Sequence, residues 1–354
     1  MKIEHLIDFS SITPEEWNIL CNLADDIRHK PAKYADACRG KVMATLFYEP
    51  STRTQLSFQT AMQRLGGTVI GFADPQNSSV SKGESLRDTI KIVSGYADII
   101  VMRNPKEGAA YAASLYSRVP FINAGDGGHL HPTQTMADMY TLRSTKGRTD
   151  HLKIGMCGDL LNGRTVHSLT RALSARPGNH FYFISTPELS MPEYITDMLE
   201  EKQISYSKVS TLDECINELD VLYMTRIQKE RFASEEEYRA QSGVYVLTKE
   251  KMDAAKSDLV VLHPLPKVDE IDYEVDDDPR AKYFLQAENG MYIRMALILS
   301  MCDIPRKSVT QTYPLPKKQV CSNPRCITRF EPYLPEIVDR VGDKQFCAYC
   351  EHKI

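Results

Sequence analysis

One tryptophan in 354 residues, no apolar run approaching 18 residues and no surplus of basic charge limit what this chain can be. The missing run excludes a helix long enough to cross a bilayer. The opening MKIEHLIDF lacks the apolar core of a secretory signal, so the cytoplasm is the expected location. Lys and Arg number 43 against 47 Asp and Glu, a net charge of −4, which removes any bulk electrostatic case for binding nucleic acid or an anionic membrane. Neither an internal repeat nor a low-complexity segment is visible. The glycines of GDLLNGRTVHSL have the wrong spacing for a dinucleotide fingerprint. No Ser-His-Asp order or paired acid/base carboxylates suggests itself, and His129 and His131 lack a third ligand at a useful spacing for a catalytic metal. With 42% apolar and 25% charged residues, the chain suits a soluble protein of two domains and a small extra module.

Cysteine, by contrast, is present and unevenly placed. Cys21, Cys38, Cys157, Cys215 and Cys302 are scattered singly and read as reduced core residues. The other four crowd into the tail as Cys321-x4-Cys326 and, 20 residues later, Cys347-x2-Cys350. Two such knuckles suit one tetrahedral zinc thiolate site, structural because four thiolates leave no open position for water. The rival, two disulfides, is disfavoured by a reducing cytoplasm.

Along the rest of the chain strand-like runs alternate with amphipathic helical stretches. The runs are 42–48, 68–72, 99–103, 119–123, 153–157, 181–185, 221–225 and 259–262. The alternation predicts two doubly wound parallel-sheet α/β domains. A first domain over 1–134, completed by a returning helix at about 287–304, would be followed by a second over 135–286. Helix 135–143 would join the halves, and the last helix, near 289–302, would present Met291, Met295, Ile298, Leu299 and Cys302 on one face. A proline-bearing linker over 305–319 leads to the cysteine module at 320–354. The acidic patch 269–278 reads as a solvated loop.

Chemistry concentrates where strands end, as open α/β sheets require. FYEPSTRTQLSF places Ser51, Thr52, Arg53 and Thr54 at the start of a helix whose apolar face is Phe58, Ala61, Met62 and Leu65. Hydroxyls, a guanidinium and unpaired N–H groups at a helix N-terminus make an anion site. Taken alone, the same residues are an ordinary N-cap. Later strand ends carry Arg103, then His131 and Gln134, then Arg164, then Arg226 and Gln228, then HPLP at 263–266, while Lys82 stands in the polar loop SSVSKGES. Each cation alone could be a surface salt-bridge partner. Five of them (Arg53, Lys82, Arg103, Arg164, Arg226) at strand ends of a slightly acidic chain imply strongly anionic ligands, handled by positioning and charge stabilisation.

The strings EPSTRT, VMRNPKEGAA, NAGDGGHLHPTQT, GDLLNGRTVHSL, YMTRIQKER and VLHPLPKVDEI, in this order over about residues 1–305, resemble the catalytic chains of the aspartate carbamoyltransferase family. The tail, VCSNPRCITRFEPY to CAYCEHKI, resembles the zinc domain of that family's regulatory chain. The resemblance implies a catalytic chain fused to a zinc domain, with no room between Asp303 and Val320 for a nucleotide-binding domain. The implied reaction joins carbamoyl phosphate and L-aspartate into N-carbamoyl-L-aspartate and phosphate, an early committed step of de novo pyrimidine synthesis, without a cofactor for the chemistry. In that family's terms Ser51, Thr52, Arg53 and Thr54 hold the phosphate, and Arg103, His131 and Thr54 polarise the carbamoyl oxygen. Gln134 and the carbonyls of Leu265 and Pro266 receive the carbamoyl NH2. Arg164, Arg226 and Gln228 clamp the aspartate carboxylates. Lys82 reaches into a neighbour's site, which implies a homotrimer with shared sites, and the zinc module is available for higher assembly. The SSVSKGES loop is a residue shorter than in some relatives, which leaves open which serine, Ser79 or another, accompanies Lys82. An ornithine-type enzyme would instead carry a cysteine in the HPLP position, where Pro264 stands, and a non-catalytic homologue would have lost some of these groups.

Overall fold

The structure is a computed structural model and describes residues 3–227, 234, 236, 245–307 and 321–354. It divides into two units, one of residues 1–133 with 291–354, the other of residues 134–290. Each is built on a five-stranded parallel sheet.

The sheet of the first unit comprises β1 (His5–Leu6), β2 (Val42–Phe47), β3 (Thr68–Phe72), β4 (Ile99–Asn104) and β5 (Phe121–Asp126), ordered β1-β5-β4-β2-β3. Its central strands are almost wholly buried, because a parallel sheet is covered on both faces and favours continuous apolar runs over alternation. Helix α1 (Pro14–His29) opens with a full capping box, Thr13 with Glu16, and proline in its first turn. Its buried stripe, Trp17, Leu20, Cys21, Ala24 and Ile27, has the helical period. Then come α2 (Thr52–Arg64), α3 (Leu86–Tyr96) and the short, alanine-rich α4 (Ala109–Ser114).

The chain enters the second unit within α5 (Pro132–Lys146). There β6 (Lys153–Cys157), β7 (His180–Ile184), β8 (Tyr206–Val209), β9 (Val221–Met224) and β10 (Val260–Leu262) are ordered β10-β9-β6-β7-β8. Helices α6 (Arg164–Ser174), α7 (Glu193–Glu201) and α8 (Lys249–Ala254) lie between these strands in sequence, and α9 (Tyr283–Met301) carries the chain back into the first unit. Helix α9 starts earlier than the apolar spacing indicated, and its burial is not confined to one face. Ile293, Arg294, Met295, Ala296, Leu297 and Ile298 are consecutive and all buried, so this stretch of the helix is enclosed and its stripe understates it, while Phe284, Ala287 and Glu288 nearer its start are exposed. The acidic patch is corrected too. Glu270, Ile271 and Val275 are buried within 269–278, and Tyr273–Asp277 forms a turn of 3-10 helix.

The linker expected over 305–319 falls outside the described residues from 308 onward. Beyond it the cysteine module contains an antiparallel pair, β11 (Val338–Val341) and β12 (Lys344–Cys347). The module packs on the first unit: Cys326, Ile327, Leu334 and Tyr349 share one apolar cluster with Ala109, Ala110, Ala113 and Tyr116. Gly108 shows how close the approach is. Its φ is 81°, and an added Cβ would stand 2.5 Å from the carbonyl oxygen of Tyr349. Gly40 has a similar φ of 77° but nothing within 4 Å of that position. Gly108→Ala is therefore expected to lower the thermal midpoint clearly more than Gly40→Ala, which carries only the left-handed backbone cost of about 1–2 kcal/mol. Equal shifts in the two variants would contradict this packing.

Candidate active site and metal centre

In each sheet the strand order reverses once, between β2 and β4 in the first unit and between β6 and β9 in the second. Neighbouring crossovers leave in opposite directions at that point, and the carboxyl ends of its two strands border a crevice suited to ligands. Arg103 lies at the carboxyl end of β4 itself, and the segments following β2, β6 and β9 carry Arg53, Arg164 and Arg226. Two arginines thus flank each reversal.

In the first unit, Ser51 occupies the N-cap position of α2, yet its side chain makes no capping hydrogen bond. The capping explanation for the hydroxyl is thereby lost, while the first-turn N–H groups of Thr52, Arg53 and Thr54 have no acceptor within the helix. Thr54 is buried and Arg53 exposed. Arg103 is the penultimate residue of β4 and is paired through Nε with Glu49 Oε1 at 2.7 Å. Burial pulls the Arg103 pKa down, Glu49 opposes that, and the Arg53 charge adds to the downward push. Two guanidiniums close enough to repel are suited to a doubly charged anion.

His131 is buried just before α5 and is reached through a turn organised by Asp126. One Asp126 oxygen accepts the Gly108 N–H (2.9 Å) and His129 Nδ1 (3.0 Å), and the other accepts the Leu130 N–H (3.0 Å). Arg294 joins this region to α2: it donates to Ser57 Oγ at 2.8 Å, lies over the Phe58 ring, and approaches Thr133 Oγ1 at 3.4 Å. Lys82 and Ser79 are exposed on the single turn Ser79–Lys82, which ends at Gly83. No hydrogen bond or ion pair joins Lys82 to Arg53, Arg103 or His131 among the described residues of this chain.

In the second unit Arg164 opens α6 after a turn fixed by Asp159, whose carboxylate accepts the N–H of Asn162 at 3.0 Å. Arg226 follows Thr225, whose N–H donates to Cys157 O at 2.9 Å and so ties the ends of β9 and β6 together. Gly158 is required there: its φ is 113°, and a Cβ would meet Thr225 O at 2.4 Å. Gln134 donates its amide nitrogen to Asp138 Oδ1 at 2.8 Å, which leaves its carbonyl oxygen as the acceptor. Asp138 is buried and also accepts Gln286 Nε2 (2.6 Å) and Tyr223 OH (3.0 Å). The HPLP turn is held by His263. Its Nδ1 accepts the Leu265 N–H at 2.7 Å, so Nε2 carries the proton and donates to Glu270 Oε1 at 2.7 Å. Burial opposes the charge on Glu270, but His263 outweighs it and keeps the carboxyl below its usual range. Leu265 itself sits at φ 56°, a costly conformation that persists because its surroundings impose it. Gln228 lies outside the described residues.

Sequence reasoning passed over Glu49, Asp126, Asp138, His263 and Glu270. Their positions carry a faint signal, since Glu49 adjoins the PSTRT string and Glu270 stands seven residues after His263. What decides their importance is burial and three-dimensional partners, which no spacing rule supplies.

Cys321, Cys326, Cys347 and Cys350 are all buried, with their sulfurs within 4.8 Å of one another. The Cys321–Cys350 and Cys326–Cys347 sulfur separations are 3.7 and 3.8 Å. A tetrahedron with metal–sulfur bonds of ~2.3 Å has edges of roughly 3.8 Å, so the donor set fits zinc. The same separations exclude disulfides in this state, and none of the nine cysteines is in a disulfide.

Two family models cover this architecture. Residues 4–144 match the carbamoyl-P binding domain of aspartate/ornithine carbamoyltransferase, and residues 150–301 match its Asp/Orn binding domain. The chain belongs to the aspartate/ornithine carbamoyltransferase family. Among its relatives, the aspartate carbamoyltransferase catalytic subunit of Clostridium novyi is 57% identical over 300 residues, 85% of this chain and 98% of the relative. That of Clostridium acetobutylicum is 55% identical over 305 residues, covering 86% and 99%. Among solved structures, the catalytic subunit of M. jannaschii aspartate transcarbamoylase superposes with a TM-score of 0.79 at 49% identity, covering 84% of this chain and 97% of that one. The Trypanosoma cruzi enzyme in complex with carbamoyl phosphate and aspartate gives 0.79 at 34% identity, covering 84% and 95%. Among the described residues no helix is long and apolar enough to cross a membrane.

His129 provides a pH-dependent test of the Asp126 turn. Burial disfavours its charge, but Asp126 at 3.0 Å and Glu351 at 3.7 Å prevail and raise its pKa to about 10. Its unfolded value is near 6.5, so the stabilisation is complete below that pH and is lost as pH rises through about 10. The thermal midpoint should therefore fall more steeply between pH 7 and 10 in the wild type than in His129→Gln. Parallel profiles would remove the charged contact from the folded state.

Proposed function

We propose that the chain transfers the carbamoyl group of carbamoyl phosphate to the α-amine of L-aspartate, giving N-carbamoyl-L-aspartate and phosphate. The observation that carries this reading is the pair of arginines at each sheet reversal, Arg53 with Arg103 and Arg164 with Arg226. One pair suits a phosphate dianion, the other a dicarboxylate. The names of the relatives point the same way.

In this mechanism Ser51, Thr52, Arg53 and Thr54 hold the phosphate oxygens, using backbone N–H groups, hydroxyls and the guanidinium. Arg103, His131 and Thr54 donate to the carbamoyl oxygen, where negative charge grows as the amine attacks. Such a donor supplies about 3 kcal/mol to the transition state. Gln134, its amide turned by Asp138, and the carbonyls of Leu265 and Pro266 accept from the carbamoyl NH2. That orientation presents the carbonyl carbon to the nucleophile. Arg164 and Arg226, with Gln228, grip aspartate by its carboxylates. The neutral amine then forms a bond to the carbamoyl carbon, the bond from that carbon to the phosphate oxygen breaks, and phosphate leaves with the electron pair and takes the amine proton.

The reading extends to assembly. Lys82, exposed on its turn, acts across a subunit boundary in a homotrimer with shared sites, with Ser79 as its candidate companion. The tail is the counterpart of a regulatory chain's zinc domain, fused here to the catalytic chain. Cys321, Cys326, Cys347 and Cys350 would hold one structural zinc, which when bound cross-links the module. Nine cysteines without a disulfide suit a reducing compartment such as the cytoplasm.

The purified protein should form carbamoyl aspartate and leave ornithine unchanged. Arg53→Ala should lower kcat about 100-fold or more, whereas Arg226→Ala should chiefly raise the KM for aspartate, by about 30-fold or more. Citrulline formed from ornithine, or wild-type kinetics in both variants, would overturn the assignment. Hybrids of Lys82→Ala and Arg53→Ala chains, each nearly inactive alone, should regain activity when mixed. If verified hybrids stay inactive, Lys82 does not act across a boundary. Metal analysis should find one zinc per chain, falling to none when the four cysteines are replaced by serine.

A further inference from the structure

Besides its apolar seat on α4 and the Glu351–His129 pair, the cysteine module makes polar contacts with the rest of the first unit at two places, each the root of a loop bearing a residue of the proposed anion site. The first is the start of α3. Its Leu86 N–H donates to Glu331 Oε1 at 3.2 Å and its Arg87 N–H to Tyr333 OH at 2.8 Å. Ser85 Oγ accepts the Asp88 N–H at 3.1 Å. The first three helical donors are thus all satisfied, two of them by side chains some 245 residues away in sequence. An α-helix cannot satisfy these donors itself. The Arg87 guanidinium also lies 4.4 Å from the Tyr333 ring centroid. Lys82 is on the turn leading directly into this helix start, and Thr89 Oγ1 donates back to Glu84 at 2.9 Å.

The second place is Glu107, buried between β4 and α4. Its carboxylate accepts Asn323 Nδ2 at 2.7 Å and pairs with Arg325 Nε at 2.8 Å. Its backbone donates to Arg325 O and accepts the Ile327 N–H, at 3.0 and 2.9 Å. The next residue, Gly108, donates to Asp126, the residue that organises the turn to His131. Four residues before Glu107 stands Arg103. Asn323 and Arg325 lie between Cys321 and Cys326, so the metal ligands and the anchors share one short segment. The module has too few residues for a core that would hold this shape without a cross-link.

We infer that the metal-bound module is a positioning element for the anion site: Glu331 and Tyr333 seat the loop that carries Lys82, and Asn323 and Arg325, through Glu107, seat the turn that carries His131. The module's own metal centre thereby sets the geometry of groups in another part of the unit. No module residue touches substrate in this scheme.

Two measurements test it on the full chain, the second resting on the carbamoyl-transfer reading and the first not. Hydrogen exchange, followed by mass spectrometry before and after zinc is stripped with a chelator and thiol reagent, should show faster exchange at 86–88, 107–109 and 127–131. Protection in α1 and α6 should be unchanged. Unaltered exchange at those three segments would overturn the inference. In kinetics, Tyr333→Phe and Glu331→Ala, each verified to retain zinc, should raise the KM for carbamoyl phosphate about 3- to 10-fold with a smaller change in kcat, the effect of one lost hydrogen bond. Glu331→Gln, which keeps an acceptor oxygen, should restore near-wild-type KM. Wild-type KM in both zinc-retaining variants would overturn the positioning role. If the wild type itself transferred no carbamoyl group, the reaction assignment would fall while the exchange result still decided this inference.

Discussion

Everything proposed for this chain depends on a constraint of parallel sheets: successive crossovers keep one hand, so a sheet covered on both faces must reverse its strand order somewhere. At the reversals between β2 and β4 and between β6 and β9, neighbouring crossovers leave in opposite directions, which is where open sheets of this kind bind ligands. Sequence then decides what is put there. This chain puts an arginine at or just after the carboxyl end of each of the four bordering strands. Cations concentrated on four strand ends of a chain with net charge −4 cannot come from bulk composition. They cost repulsion, as the downward push of the Arg53 charge on the Arg103 pKa indicates.

Buried charge recurs as the means of holding loops still. Asp126, Asp138, Glu107 and Glu270 are all buried, and each accepts two or more hydrogen bonds from groups that lead to a proposed site residue. A buried carboxylate is tolerated only when such partners compensate its lost hydration. Removing one partner then strands a charge, which makes these networks rigid and intolerant of slack. Arg294 does the same with opposite sign, fixing Ser57 of α2 and Thr133 of α5 while its face rests on Phe58.

Much of the architecture was legible in the sequence because central parallel strands advertise themselves as apolar runs. The runs at Thr68–Phe72 and Lys153–Cys157 coincide with strands, and the others differ by a few residues at their ends. Two strands of the parallel sheets were illegible for physical reasons. His5–Leu6 is only two residues long, and Tyr206–Val209, reading YSKV at a sheet edge, needs no apolar run. The clustering of the four tail cysteines was legible because a shared metal site would impose such spacing. The seat of that module on α3 and α4 was not, since contacts such as Leu86 with Glu331 have no local trace. The acidic patch misled for a similar reason: Glu270 looks solvated in sequence and is instead committed to His263.

The central claim is a division of labour, with the phosphate-bearing substrate held by the arginines of the first unit. Calorimetric titration of carbamoyl phosphate into wild-type, Arg53→Ala and Arg226→Ala protein, without aspartate, tests it most directly. Arg53→Ala should lose measurable binding, while Arg226→Ala should bind with wild-type affinity. Equal binding by Arg53→Ala and the wild type, or loss of binding in Arg226→Ala alone, would contradict it.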